Sequence, residues 1–220
     1  SRPDGGQVTR EEALSHAETL TAPTGLPVSG DFENGFGEAP ETVAETVRLS
    51  AEAGLAGISV EDTALPDAGA YPYDLAVERI RAAAAAARAL PGDFVLVARA
   101  DGVMTGAYDL DEAIRRIRAF DEAGADCLYV PAPGTLDDLG RVVAATAKPV
   151  NALAVGPFTE VSRAEFAALG VARISLGSAL ARVTHRAIFD AARAMFGAGD
   201  FAPLGHTIPG SEVDRLLGGG

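Results

Sequence analysis

Short apolar or β-branched runs alternate along this chain with longer stretches in which apolar residues recur every three or four positions. The short runs predict strands at Pro27–Glu33, Gly57–Glu61, Phe94–Asp101, Cys127–Val130, Pro149–Leu153 and Arg173–Leu176. The longer stretches predict helices with readable ends. "APETVAETVRLSAEAG" carries Pro40 in its first turn, acidic residues early, and Gly54 as a C-terminal cap. "YDLDEAIRRIRAFDEAG" places Ala113, Ile117 and Phe120 on one face and stops at Gly124, while "RAAAAAARAL" reads as an alanine-rich helix with no chemistry of its own. The recurring Glu-Ala-Gly segments at Glu52–Ala56 and Glu122–Ala125 mark two helix-to-strand turns of one design.

Regular strand-helix alternation argues for a parallel sheet, because parallel neighbours need crossover helices. A (β/α) barrel and an open doubly wound sheet both satisfy it. Within 28–33, Val28, Gly30 and Phe32 alternate with Ser29, Asp31 and Glu33; within 94–101, Phe94, Leu96, Ala98 and Ala100 oppose Val95, Val97, Arg99 and Asp101. Each strand thus has one wholly apolar face and one that turns polar only at its C-terminal end. That is the pattern of a barrel whose outside meets helices and whose inside opens into a site at the top, and a barrel is the preferred architecture. A complete barrel has eight strands and about 250 residues. Six strands are found here, so either strands are missing on the N-terminal side or the sheet is open.

With 220 residues, 48% of them hydrophobic, the chain supports one substantial core, and a single domain spanning 1–220 is expected. The formal net charge of −13 opposes nucleic acid and anionic membranes as partners. Cys127 is the only cysteine and lies in an apolar run, which fits a reducing cytoplasm. "SRPDGGQVTREE" has no basic-then-apolar leader pattern, and no apolar stretch approaches the roughly 18 to 20 residues of a membrane helix. The sole lysine, Lys148, begins a strand, away from the end where barrels place their sites, so Schiff-base and PLP chemistry are not expected.

Asp31, Glu33 and Glu61 fall at the C-terminal ends of two consecutive strands. A dry cluster of this kind repels itself unless a cation neutralises it, and hard oxygen ligands from neighbouring strands suit Mg2+, with Mn2+ as the alternative. The competing reading is that these acids merely solvate strand ends. Asp62 points to the opposite face and is the weaker ligand. Arg99 ends the next strand on the same face: either it grips a substrate carboxylate or phosphonate, or it pairs with Asp101 or the acidic cluster itself. "ISLGSAL" sets Gly177 and Ser178 at a helix start, as a phosphate site or, more simply, a turn and N-cap. His16, His185 and His206 are scattered. "EDTALPDAGAYPYD", 61–74, is a loop over the acidic cluster, either plain surface or a lid.

The ordered segments "PVSGDFENGFG", "AGLAGISVEDT", "FVLVARAD", "AGADCLYVPAPG", "KPVNAL" and "GVARISLGSAL" resemble the isocitrate lyase / phosphoenolpyruvate mutase superfamily, above all its phosphonomutase-like members. The resemblance spans nearly the whole chain. It implies a (β/α)8 TIM barrel that binds Mg2+ and a small 2-oxo acid or phosphonate, making or breaking C–C or P–C bonds beside the carbonyl. It assigns Asp31, Glu33 and Glu61 to the metal and Arg99 to a substrate carboxylate. Asp4 matches an aspartate near metal and substrate, and Asn151 a substrate-facing polar residue.

Two departures shape the expectation. The loop "TALPDAGAYPY" lacks the lyases' Lys-Cys-Gly-His lid motif, which argues against cleavage of 2-hydroxy tricarboxylates, and it also lacks the mutases' Lys- and Asn-containing loop. The chain also starts where the family's second strand has ended, so the first strand, first helix and second strand are expected to be missing. The resemblance further implies a homo-oligomer, dimer or tetramer, with helices from about residue 178 exchanged between subunits. The leading expectation is a Mg2+-dependent lyase or hydrolase of the oxaloacetate decarboxylase kind, with Arg99 and Glu61 catalytic. A phosphoenolpyruvate or phosphonopyruvate mutase, a metal-independent sugar-phosphate barrel and a non-catalytic 2-oxo-acid binder are the alternatives.

Overall fold

A computed structural model describes residues 5–67 and 69–218. The chain divides into two compact units, Ser1–Ser175 and Leu176–Gly220. The first unit holds six parallel strands, β1 (Ser29–Asp31), β2 (Gly57–Glu61), β3 (Val95–Arg99), β4 (Cys127–Tyr129), β5 (Val150–Leu153) and β6 (Arg173–Ser175). They pair strictly in sequence order, β1 to β6. A doubly wound sheet reverses its order at a switch point, whereas a barrel winds in one direction. The absence of any reversal among the described strands decides for barrel-type winding, as an α/β half-barrel of six strands.

Among the described residues, seven α-helices accompany the sheet: α1 (Arg10–Thr21), α2 (Pro40–Glu52), α3 (Tyr73–Arg88), α4 (Gly102–Thr105), α5 (Leu110–Glu122), α6 (Leu136–Ala144) and α7 (Arg163–Leu169). Pro40 opens α2, where its missing N–H costs nothing, and Val43 and Val47, one turn apart, are fully buried. Asp109 caps α5 by accepting from the Glu112 amide at 2.9 Å, and Ala113, Ile117 and Phe120 are buried on its inner face. The alanines of α3 allow close packing: Ala83, Ala84 and Ala87 are buried. Gly54 and Gly124, with φ of 85° and 105°, turn the chain from α2 and α5 into the following strands.

The main core lies between helices and sheet, on the face carrying Ile58, Val60, Leu96, Ala98, Leu128 and Val150. A small separate cluster, Val97, Cys127 and Tyr129 with Leu153, covers the opposite face. Strand register brings the polar ends level, pairing Glu61 with Arg99 and Arg99 with Tyr129. Gly57 is required at the start of β2, because a Cβ there would meet the Val95 carbonyl oxygen at 2.4 Å.

The strands are shorter than their apolar runs. The run 27–33 yields only Ser29–Asp31, because Glu33 has a left-handed backbone with φ of 48°. Strand alternation therefore does not set the Glu33 direction. Likewise β3 ends at Arg99, and Asp101, at φ −90° and ψ −6°, caps α4 instead of continuing the strand.

The second unit contains α8 (Ala179–Ala198) and α9 (Gly210–Gly218). Neither helix buries a residue. No helix among the described residues is long and apolar enough to cross a membrane.

Candidate active site

The C-terminal ends of β1, β2 and β3 converge on one guanidinium. Arg99 is 9% exposed and sits among three carboxylates. Its Nη1 lies 2.7 Å from Asp31 Oδ2 and its Nη2 3.0 Å from Glu61 Oε2. Asp101 takes it from two sides, with Nε donating to Oδ1 at 3.2 Å and Nη2 to Oδ2 at 2.6 Å. Of the alternatives open for Arg99, this structure places it on the acids.

These contacts are unequal. The Asp101 side chain is 1% exposed and its grip is bidentate, the stronger kind of Arg-carboxylate pairing. The Asp31 side chain is 65% exposed, so its pairing is screened and weak. Asp31 Oδ1 also accepts from the Glu33 amide and the Ser59 hydroxyl, each at 3.2 Å. Glu33 is held separately, accepting from the Gly6 amide at 3.1 and 3.2 Å.

One cation does not balance the acids. Burial first, then Asp101 and Asp31 beside it, raise the Glu61 carboxyl from its ordinary 4.5 to about 8 against the opposing charge of Arg99. Burial raises Asp101 as well, against Arg99. The Arg99 guanidinium, despite its burial, is raised by Asp101, Asp31 and Glu61 together. The site thus holds surplus negative charge, which favours the protonated form of Glu61.

Surplus negative charge of this kind favours a bound cation. Among the described residues no three His, Cys, Asp or Glu side chains form a ready cage. A closed all-protein site is therefore absent among the described residues. A hard cation that keeps most of its waters and takes one or two carboxylates fits the oxygen donors and the charge.

The acids and Arg99 line a recess of about 310 Å3, completed by Gly5, Thr63, Leu65, Pro66, Asp101, Met104 and Thr105. That is the low end of small-molecule sites. Thr63, Leu65 and Pro66 belong to the loop expected over the cluster, which is pinned by the Thr63–Ala70 bridge. Beneath Arg99, the Tyr129 ring centroid is 5.4 Å from the guanidinium carbon.

Other predicted residues lie elsewhere. Asn151 is fully buried on β5, donating to Ser175 Oγ at 2.9 Å and accepting from Arg173 Nη1 at 3.0 Å, and does not line the recess. Asp4 lies outside the described residues. Ser178 precedes α8 without a side-chain cap bond. His16 is on α1 and His185 on α8. Asp101 and Asp62 have larger roles than sequence reasoning assigned. The Arg99–Asp101 pairing is one of the alternatives open from sequence, whereas the Tyr108 and Arg116 partners of Asp62 are set by tertiary contacts.

The family model for phosphoenolpyruvate phosphomutase matches residues 1–196. An oxaloacetate decarboxylase from Rhodopseudomonas palustris strain BisB18 is 32% identical over 195 residues, covering 87% of this chain and 67% of that protein. A solved structure from Burkholderia cenocepacia J2315, provisionally described as a lyase/mutase, is 45% identical with a TM-score of 0.91, covering 96% of this chain and 76% of that one. Oxaloacetate acetylhydrolase, solved with its product oxalate, is 27% identical with a TM-score of 0.80, covering 99% and 80%.

Proposed function

Because this chain belongs to the phosphoenolpyruvate phosphomutase family, within the isocitrate lyase superfamily, we propose that it cleaves a C–C bond at the carbon next to the carbonyl of a small 2-oxo dicarboxylate, oxaloacetate being the simplest. The observation that carries the reading is Arg99 among Asp31, Glu61 and Asp101 in a recess of about 310 Å3. A phosphonate substrate is the variant that the family description suggests.

Decarboxylation breaks the bond between C3 and the distal carboxylate. Carbon dioxide leaves, the electron pair remains as an enolate, and C3 then takes a proton. Little is required beyond holding the substrate and stabilising charge on the 2-oxo oxygen. Mg2+, or Mn2+, keeping most of its waters and held by one or two of Asp31, Glu33 and Glu61, would supply Lewis-acid stabilisation of that oxygen.

The chain's own residues do the rest. Asp101 keeps Arg99 in place, and an arriving substrate carboxylate displaces the exposed Asp31 from Nη1. Asp31 is then released toward the other acids. Glu61, which holds its proton more tightly than an ordinary carboxyl, would have to lose it in order to hold the cation. Leu65, Pro66 and Met104 form an apolar rim that limits water. The proposal extends to a cytoplasmic homo-oligomer, dimer or tetramer, supported by the apolar surface of α8.

The test is pyruvate release from oxaloacetate and a panel of 2-oxo acids, with Mg2+ and with chelator. Turnover that chelator removes and Glu61→Ala abolishes is expected. Full turnover by Glu61→Ala would overturn the assignment. Tight binding without turnover would replace it with a 2-oxo-acid-binding role.

A further inference from the structure

Behind Arg99, on the face turned away from the recess, stands a second carboxylate that the proposed chemistry does not use. Asp62 directly follows Glu61, is 3% exposed, and does not line the recess. Its Oδ1 accepts from the backbone amide of Asp101 at 2.9 Å. Its Oδ2 accepts from the Tyr108 hydroxyl at 2.6 Å and from Arg116 Nη1 at 2.9 Å. A buried carboxylate so fully engaged is rigid, and each donor comes from a different piece of chain.

The geometry links it to the site. Asp101 is where β3 gives way to α4, and its carboxylate is the bidentate seat of Arg99. Among the described residues, the side chain that holds the Asp101 amide is Asp62. Tyr108 is itself placed tightly, because a Cβ on Gly102 would meet its ring at 2.2 Å. Arg116 is fixed by Glu112 at 2.9 Å and by the Tyr71 carbonyl at 3.0 Å. We infer that Asp62 is a positioning residue for Arg99: by accepting the Asp101 amide it sets the carboxylate on which the guanidinium rests, and Arg116 with Tyr108 hold Asp62 in turn. The consequence for catalysis rests on the reading of Arg99 as the substrate-carboxylate grip. The consequence for Arg99 itself does not.

The decisive measurement is therefore made on the ligand-free protein. Solvent exchange of the Arg99 Nε proton is followed by NMR, the signal being assigned by its loss in Arg99→Gln. Removing one buried anchor in Asp62→Ala is expected to speed exchange about tenfold. Asp62→Asn keeps an oxygen for the Asp101 amide but not the charge for Arg116, and a rise of about threefold is expected. Should Asp62→Ala not fold, Asp62→Asn carries the test. Unchanged exchange in the folded variant overturns the inference.

A second arm reads catalysis. In an active enzyme Asp62→Ala lowers kcat/KM, but adds almost nothing in an Arg99→Gln background, since it acts through that residue. Additive losses would mean a merely structural role and overturn the inference. If the wild type neither turns over 2-oxo acids nor binds oxalate, the proposed function falls, while the exchange rates still decide the role of Asp62.

Discussion

At the scale of single residues, the account turns on charge balance around Arg99. Glu61, raised to about 8, holds a proton in the folded, metal-free protein that it lacks in the unfolded chain between pH 4.5 and 8. Its contribution to stability is therefore complete below 4.5 and is lost as pH rises through 8. Glu61→Gln should remove that dependence, so the variant gains stability relative to wild type between pH 5 and 9 in metal-free denaturant melts. Parallel pH curves would contradict this. The same substitution should abolish metal-dependent turnover. Arg99→Lys keeps the charge but not the fork that Asp101 grips, and kcat/KM should fall roughly 100-fold, as expected where bidentate geometry is lost. A steady-state assay with less than a threefold loss would show that geometry is unimportant there.

Much of this site could be read from residue types, because Asp31, Glu61 and Arg99 end strands whose alternation is clear. Glu33 could be placed near the site but not oriented, since its left-handed backbone has no simple sequence sign. Asp62 reads as the weaker candidate ligand, because strand alternation points it away from Glu61. Its importance comes from Arg116, 54 positions later, and such a partner emerges only when α5 packs behind the sheet.

At the scale of elements, β2 matched its apolar run from Gly57 to Glu61, because glycine and glutamate bound it sharply. The other strands were overextended at one or both ends, where extended residues lie beyond the ladder. Helix α1 shows in the sequence only as a helical pattern around His16 with no readable ends, although Thr9 and Glu12 form a capping box. Its weak amphipathicity hid it, and only Ala17 is buried. The close approach of β2 to β3 gives a direct test. In Gly57→Ala the new Cβ meets a backbone oxygen that cannot move aside, and stability should fall by about 1–3 kcal/mol in a denaturant titration. An unchanged midpoint would mean that the two strands separate readily.

For the whole molecule, alternation alone left barrel and open sheet in competition, and pairing order decided between them. No sequence signal encodes that order, which depends on handed crossovers packing against one another. The second unit bears on assembly. Leu180, Val183, Ile188, Phe189 and Phe196 of α8 are all exposed, Phe196 at 90%. An apolar helix of this kind favours association. Ile188→Asp with Phe196→Asp should shift sedimentation toward monomer, and an unchanged distribution would exclude α8 from the interface.

The central claim is that the strand ends form a joint site for a divalent cation and a 2-oxo acid. Oxalate, which resembles the enolate of such an acid, tests it in a thermal-shift titration with and without Mg2+. Stabilisation by oxalate only when Mg2+ is present is the predicted result. Equal stabilisation in chelator, or no shift with either, would contradict the claim.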